Sequence, residues 1–294
     1  MTFVLSGFAD EISPDPAEQL AVLAAESISH LEFRGAWSTN VADLDDAHLA
    51  SFQAAIDDAG VSVSAIGSPL GKISVREAFE PEKDRMKRIV EIAHELGTSL
   101  IRVFSFFIPA GEPPERYRGQ VIDQLAALTE IAAASGLVLA HENEKLIYGD
   151  TPERCADLIA TIDSPALRAT FDAANFVQCG VRPHTEGFDL LRPHLEYVQI
   201  KDALIETGQV VPAGQGDGEV RETLAALTQD GFDGYLSLEP HLAAAGQFGG
   251  YSTVPGLSSG YRTVGVGPFS GPDGFRTAAR ALKELLAGLG ADWS

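Results

Sequence analysis

The sequence predicts a single-domain α/β fold, a (β/α)8 TIM barrel. Three observations predict it. Short apolar, β-branched runs alternate with helical patterns along the chain. Turn signals precede most of the runs, at Ala59-Gly60, Leu96-Gly97, Ser135-Gly136 and Asp233-Gly234. A Gly just past a helix end supplies the left-handed cap from which the next strand starts. Finally, the chain offers eight strand–helix units, and eight such units close as a barrel more readily than they lie open.

The first apolar run, 3–8, reads as a strand and not as a signal peptide, because no basic segment precedes it. Ser13-Pro14-Asp15-Pro16 caps a helix over 16–26, with Leu20, Leu23 and Ala24 at helical spacing. Strands over 30–33, 61–66 and 100–104 follow, separated by helices over 47–58 and 81–96. A long Ala/Leu-rich helix, 114–134, leads to the fifth strand, 137–141. Thr151-Pro152 opens the next helix with a capping Thr and a Pro in the first turn. Strands over 167–171, 197–200 and 235–238 complete the set, with a short helix over 186–192 and longer ones over 220–229 and 273–289. A doubly wound open sheet is the competing fold. It ordinarily carries a Gly-rich turn after its first strand, and Gly7-Phe8-Ala9-Asp10 is not one.

Residues 243–272 break the rhythm. They are Gly-rich, lack a helical period and carry Phe248, Tyr251, Tyr261 and Phe269. A loop this long is usually functional or disordered, and its aromatic residues suggest a lid or a subunit contact. Composition excludes several function classes. The formal net charge of −21 repels phosphate backbones, so nucleic acid is not an expected partner. No run approaches the roughly 18 apolar residues of a membrane span. Cys155 and Cys179 have no ligand-like spacing, and nothing points to an oxidising compartment, so the expected location is the cytoplasm.

Active sites of such barrels lie at the C-terminal ends of the strands, so the polar residues that close an apolar strand carry the chemistry. The fifth strand closes with His141-Glu142-Asn143-Glu144, the sixth with Asp172-Ala173-Ala174-Asn175, the seventh with Gln199-Ile200-Lys201-Asp202 and the eighth with Glu239-Pro240-His241. Any one carboxylate could simply cap a helix or pair with a lysine. Glu142, Asp172 and Glu239 together would repel one another unless a cation sits among them. Carboxylate and amide oxygens suit Mg²⁺ or Mn²⁺; nitrogen ligands would favour Zn²⁺ or Co²⁺.

These motifs resemble those of the xylose-isomerase-like barrel superfamily, in its sugar phosphate isomerase/epimerase branch. Glu142-Asn143 matches the fifth-strand pair, Asp172 with Asn175 the sixth-strand pair, Glu239 the eighth-strand Glu, and Pro212-Ala213-Gly214-Gln215-Gly216 a later turn. The seventh strand usually reads His-x-Lys-Asp, and here Gln199 replaces the His. The resemblance implies a metal set of Glu142, Asp172, Gln199 and Glu239, oxygen-rich and better suited to Mn²⁺ or Mg²⁺ than to Zn²⁺ or Co²⁺. It also implies a small-molecule sugar or glycoside as substrate and a dimer or tetramer as assembly. The implied reaction is isomerisation or epimerisation through an enediolate, with Glu142 and Glu239 as the acid/base pair.

His241 shares Glu239's side of its strand and is a further acid/base candidate, whereas His141 precedes Glu142 and can face either way. Lys201, Arg102, Glu32, Asn175 and Glu144 are the expected substrate contacts, with Arg34, Ser68, Lys72 and Ser105 near them. Trp37 and Phe106-Phe107 could stack on a sugar ring or pack in the core. A lyase that cleaves 3-keto-glycosides, including C-glycosides, by β-elimination is the alternative activity on this fold. The Gly214–Gly218 turn offers the one possible phosphate cradle.

Overall fold

The computed structural model describes residues 2–243 and 267–294. Residues 244–266 of the expected lid or subunit contact over 243–272 therefore lie outside the described residues. Eight strands form the barrel wall: β1 (Thr2–Gly7), β2 (His30–Phe33), β3 (Ser62–Ile66), β4 (Leu100–Val103), β5 (Val138–Glu142), β6 (Leu167–Asp172), β7 (Leu195–Ile200) and β8 (Tyr235–Leu238). All pair in parallel, in the order β1, β8, β7, β6, β5, β4, β3, β2. A parallel bridge from Phe8 to Glu32 brings β2 back to β1 and closes the ring. Asp292–Trp293 adds a short parallel strand on the other side of β1.

The helices are α1 (Pro16–Ala25), α2 (Asp46–Ala59), α3 (Glu80–Glu95), α4 (Arg118–Ala134), α5 (Pro152–Ile162), α6 (Ala173–Gln178), α7 (Val220–Asp230) and α8 (Gly271–Leu289). Their ends follow local chemistry. Asp15, Asp45, Thr151 and Ser270 each accept a backbone N–H in the first turn, and Gly60 and Gly290 end their helices in the left-handed conformation.

The short helix expected over 186–192 lies within a longer helical stretch of mixed geometry, and a further short helix precedes it. The chain after β6 turns at once into α6, because Asp172 caps it through the Asn175 N–H at 2.8 Å. A π-helical turn, Pro183–Phe188, and the single α-turn Asp189–Leu191 then lead to β7.

Strand alternation sorts the side chains into two layers. Leu5, Ile101, Leu139, Phe171, Val198 and Leu236 join the large core between strands and helices. Ala65, Leu100, Ala140 and Tyr197 pack together as a separate cluster inside the barrel. Continuing upward from that cluster in steps of two reaches Arg102, Glu142, Gln199 and then Lys201. The same parity on β6 and β8 gives Thr170–Asp172 and Ser237–Glu239. A dry interior floor thus carries a charged layer at the C-terminal mouth.

Candidate active site at the barrel mouth

The structure brings Glu142, Asp172 and Glu239 together: all are buried, and one oxygen from each lies within 4.8 Å of the others. Three cationic side chains hold this cluster. The Lys201 ammonium sits 2.9 Å from Asp172 Oδ2 and 2.5 Å from Glu239 Oε2. Arg102 Nη1 donates to Glu142 Oε2 at 3.2 Å, and its guanidinium lies 4.8 Å from the Phe8 ring centroid and 4.9 Å from that of Phe104. Arg34 donates to Glu239 Oε1 at 3.1 Å and to Asp10 Oδ2 at 2.7 Å. Asn175 Nδ2 donates to Glu142 Oε1 at 2.9 Å, while Asn143 bonds the Asp172 backbone from both ends of its amide.

The electrostatics are unequal. Burial pushes Glu142 up to about 8, with Glu239 and Asp172 adding to the shift against Arg102. Burial likewise raises Asp172 to about 6 and Glu11 to about 8. Burial would raise Glu239 too, but Lys201 and His241 hold it well below the usual carboxylate range. Desolvation opposes charge on Lys201, yet Asp172 and Glu239 keep it firmly protonated. Without an ion, the two carboxylates expected to act as a pair are thus driven apart, Glu142 upward and Glu239 downward.

His241 Nε2 lies 3.5 Å from Glu239 Oε1 and 3.2 Å from Glu11 Oε1, and its backbone N–H donates to Glu11 Oε2 at 2.7 Å. Burial, then Lys201, lowers this imidazole to about 4, so it is neutral at physiological pH. His141 is not brought to the cluster. Its outward parity on β5 sends the ring beneath the loop after the strand, where a Cβ added to Gly149 would lie 2.5 Å from a ring carbon. Among the described residues neither of its ring nitrogens has a hydrogen-bond partner, and burial lowers it to about 4. This position corrects the expectation that His141 could act as an acid or base beside Glu142.

The expected substrate contacts also divide. Glu32 is buried with both carboxylate oxygens engaged, Oε1 by Gln199 Nε2 at 3.3 Å and Oε2 by Ser237 Oγ at 2.7 Å. Glu144 lies between Lys72 and Lys145, each 3.5 Å away. Burial alone would raise it, but Lys145, Lys72 and Lys201 bring it down to about 2. Phe106 and Phe107 are buried in apolar clusters, as core packing requires. Trp37 is exposed and meets His48 edge-on, with ring centroids 5.2 Å apart.

The Gly214–Gly218 turn is not open to a phosphate. Asp202 fills it, with Oδ2 accepting from Gly214 and Gly216 at 2.9 Å and Oδ1 from Gly218 and Ala203 at 2.8 Å. A Cβ added to Gly218 would lie 2.6 Å from that carboxylate. Sequence reasoning missed Asp10 and Glu11 on the 3-10 turn after β1. The rule that found the others, polar residues closing an apolar strand, applies equally to Phe8-Ala9-Asp10-Glu11.

The donor set fits a hard divalent cation. Inside the mouth, Asp10, Glu11, Glu32, Glu142, Asp172 and Glu239 face only Arg34, Arg102 and Lys201. At the rim, Lys72 and Lys145 flank Glu144, which leaves this ensemble, among the described residues, two positive charges short of balance. Gln199 adds an amide oxygen, Oε1, that is buried with no hydrogen-bond partner among the described residues. Carboxylate and amide oxygens are the ligands of Mg²⁺ and Mn²⁺.

The model of one protein family, described as "Xylose isomerase-like TIM barrel", matches residues 20–285. Among curated proteins, a 2-epi-5-epi-valiolone 7-phosphate 2-epimerase of Actinoplanes sp. is 31% identical over 176 residues, 60% of this chain and 63% of that one. A 3-dehydroshikimate dehydratase of Pseudomonas putida is 27% identical over 175 residues, 56% of this chain and 27% of that one. The matched stretch therefore spans less than two thirds of either relative. The crystal structure of a D-tagatose 3-epimerase-like protein has the same fold, with a TM-score of 0.72, 17% identity and 98% of both chains covered.

Proposed function

This chain belongs to the xylose isomerase-like TIM barrel family, and from that premise we propose that it is a divalent-metal-dependent sugar isomerase or epimerase, moving a proton next to a carbonyl. The observation that carries the reading is the convergence of Glu142, Asp172 and Glu239, with ligand oxygens within 4.8 Å of one another. Glu142, Asp172, Glu239 and the Gln199 amide oxygen would hold the ion. When bound, Mn²⁺ or Mg²⁺ would supply Lewis-acid stabilisation of the developing oxyanion.

The remaining chemistry belongs to the chain. Glu239 on β8 is the residue placed to take the proton, because its ion pairs keep it ionised. Glu142 on β5, ionised once it holds the ion, returns a proton to the carbon after taking one up from solvent. Lys201 and Arg102 fix these two carboxylates, and the Phe8 and Phe104 rings keep water from the Arg102 guanidinium. Asn175 supports the arrangement by holding Glu142 Oε1.

β-Elimination from the same carbanion is the second reading, favoured by the likeness to a dehydratase; a 3-keto-glycoside would lose its aglycone by the same step. Incubation in D₂O with Mn²⁺ and a panel of ketoses, cyclic keto-polyols and 3-keto-glycosides separates the two. Deuterium appearing beside the carbonyl of an intact product supports epimerisation, and its loss in Glu239→Gln assigns the base. Loss of water or aglycone selects the second reading. No exchange on any member of the panel overturns both.

A further inference from the structure

We propose that Glu32, at the floor of the site, is the positioning residue that makes Gln199 an oxygen ligand. The inference rests on the metal-dependent reading above. An amide side chain presents an oxygen or an NH₂ depending on a half-turn about its last bond, and only the oxygen can hold a cation. In its ionised form Glu32 has no proton to give, so the edge of Gln199 that meets it is then the NH₂. The 3.3 Å contact from Gln199 Nε2 to Glu32 Oε1 therefore fixes the opposite edge as the carbonyl. That carbonyl oxygen is the buried one with no hydrogen-bond partner among the described residues.

Glu32 is itself held. Strand alternation turns its side chain into the barrel, since its neighbours Leu31 and Phe33 both face the outer core. Ser237 donates to its second oxygen at 2.7 Å. Ser237 is also the Cα partner of Gln199 on the neighbouring strand, and Gln199 pairs on its other side with Asp172. Glu32, Ser237 and Gln199 thus form one closed set beneath the carboxylate cluster. Such outer partners of a ligand typically change metal affinity by roughly 10- to 100-fold when removed.

The test is Mn²⁺ affinity, read from the free-ion EPR signal, in two backgrounds. With Gln199 present, Glu32→Leu weakens Mn²⁺ binding roughly 10- to 100-fold. In a Gln199→Glu background, residue 199 offers oxygens in either orientation, so Glu32→Leu leaves affinity unchanged or tightens it by removing a like charge. Equal weakening in both backgrounds overturns the proposal, since Glu32 would then act through charge or packing alone. If Glu32→Leu does not fold, Glu32→Asp keeps the charge but withdraws the acceptor by one methylene, and the same contrast applies. The controls separate this inference from its premise. Gln199→Ala without effect, beside a Glu142→Ala variant that loses Mn²⁺, defeats the role of Gln199 and leaves the metal site standing. Wild type that binds neither Mn²⁺ nor Mg²⁺ defeats the premise.

Discussion

Divalent-ion binding should release protons, and the structure sets how many. Among the described residues, the mouth and its rim hold two more carboxylates than cationic groups. Without a metal ion, that excess is met by protons: Glu142 and Glu11 are both raised to about 8. An ion can enter only as these protons leave. At pH 6, two units below that value, each displaced proton costs ~2.7 kcal/mol, a hundredfold in apparent affinity. Apparent Mn²⁺ affinity should therefore rise with pH by a factor between about 10 and 100 per unit from pH 6 to 7.5, according to whether one or both protons leave. It should level off above pH 8. The two groups titrate as a coupled pair, so the slope belongs to the ensemble and not to either residue. Calorimetry in buffers of different ionisation enthalpy counts the protons directly. An affinity that is flat across this range, with no proton release, refutes the charge accounting.

Other expectations follow from the same contacts. Asp202→Asn places an NH₂ against two of the four backbone N–H groups that now meet a carboxylate, and should cost ~3 kcal/mol in urea unfolding; a loss under about 1 kcal/mol would mean the turn re-forms without it. Since neither His141 nitrogen is bonded among the described residues, His141→Leu should leave Mn²⁺ affinity unchanged, and a large loss would return that residue to the site. The folded-state values of Glu11, Glu142 and Glu32 all lie above the ordinary 4.5. Their stabilising contribution is complete below about pH 4.5 and is lost as pH rises through 7 to 8. Chemical denaturation of the metal-free protein should accordingly show stability falling from pH 5 to 8, with saturating Mn²⁺ reversing the fall; a stability that rises over this window contradicts the pairing described. Gln199→His should favour Zn²⁺ over Mn²⁺ by at least about tenfold relative to wild type, measured by competition.

Much of this was legible in the sequence. The strand–turn–helix rhythm located all eight barrel strands, because apolar runs of strand length alternate with helical patterns and Gly turn signals precede several of them. Glu142, Asp172 and Glu239 stood out because each closes an apolar strand, and barrel geometry brings strand ends together. What sequence could not carry was direction. Parity separates His141 from Glu142, yet a strand end can relax, and only the position of the loop holding Gly149 settled the matter. Asp202 looked like one more polar strand-end residue beside an empty glycine turn; its carboxylate proved to be that turn's occupant. Glu32 was read as a substrate contact since nothing local shows that Gln199, 167 positions away, donates to it. Asp172 joined two readings that sequence kept apart, as it caps α6 with one oxygen and faces Lys201 with the other.

The most direct test of the central claim is metal analysis of purified wild type beside Glu142→Ala, each after incubation with Mn²⁺ and removal of the excess. The account predicts about one ion per chain in the wild type, by the charge balance of the mouth, and none retained in the variant. Wild type that retains no ion, or a variant that retains as much as wild type, would contradict it.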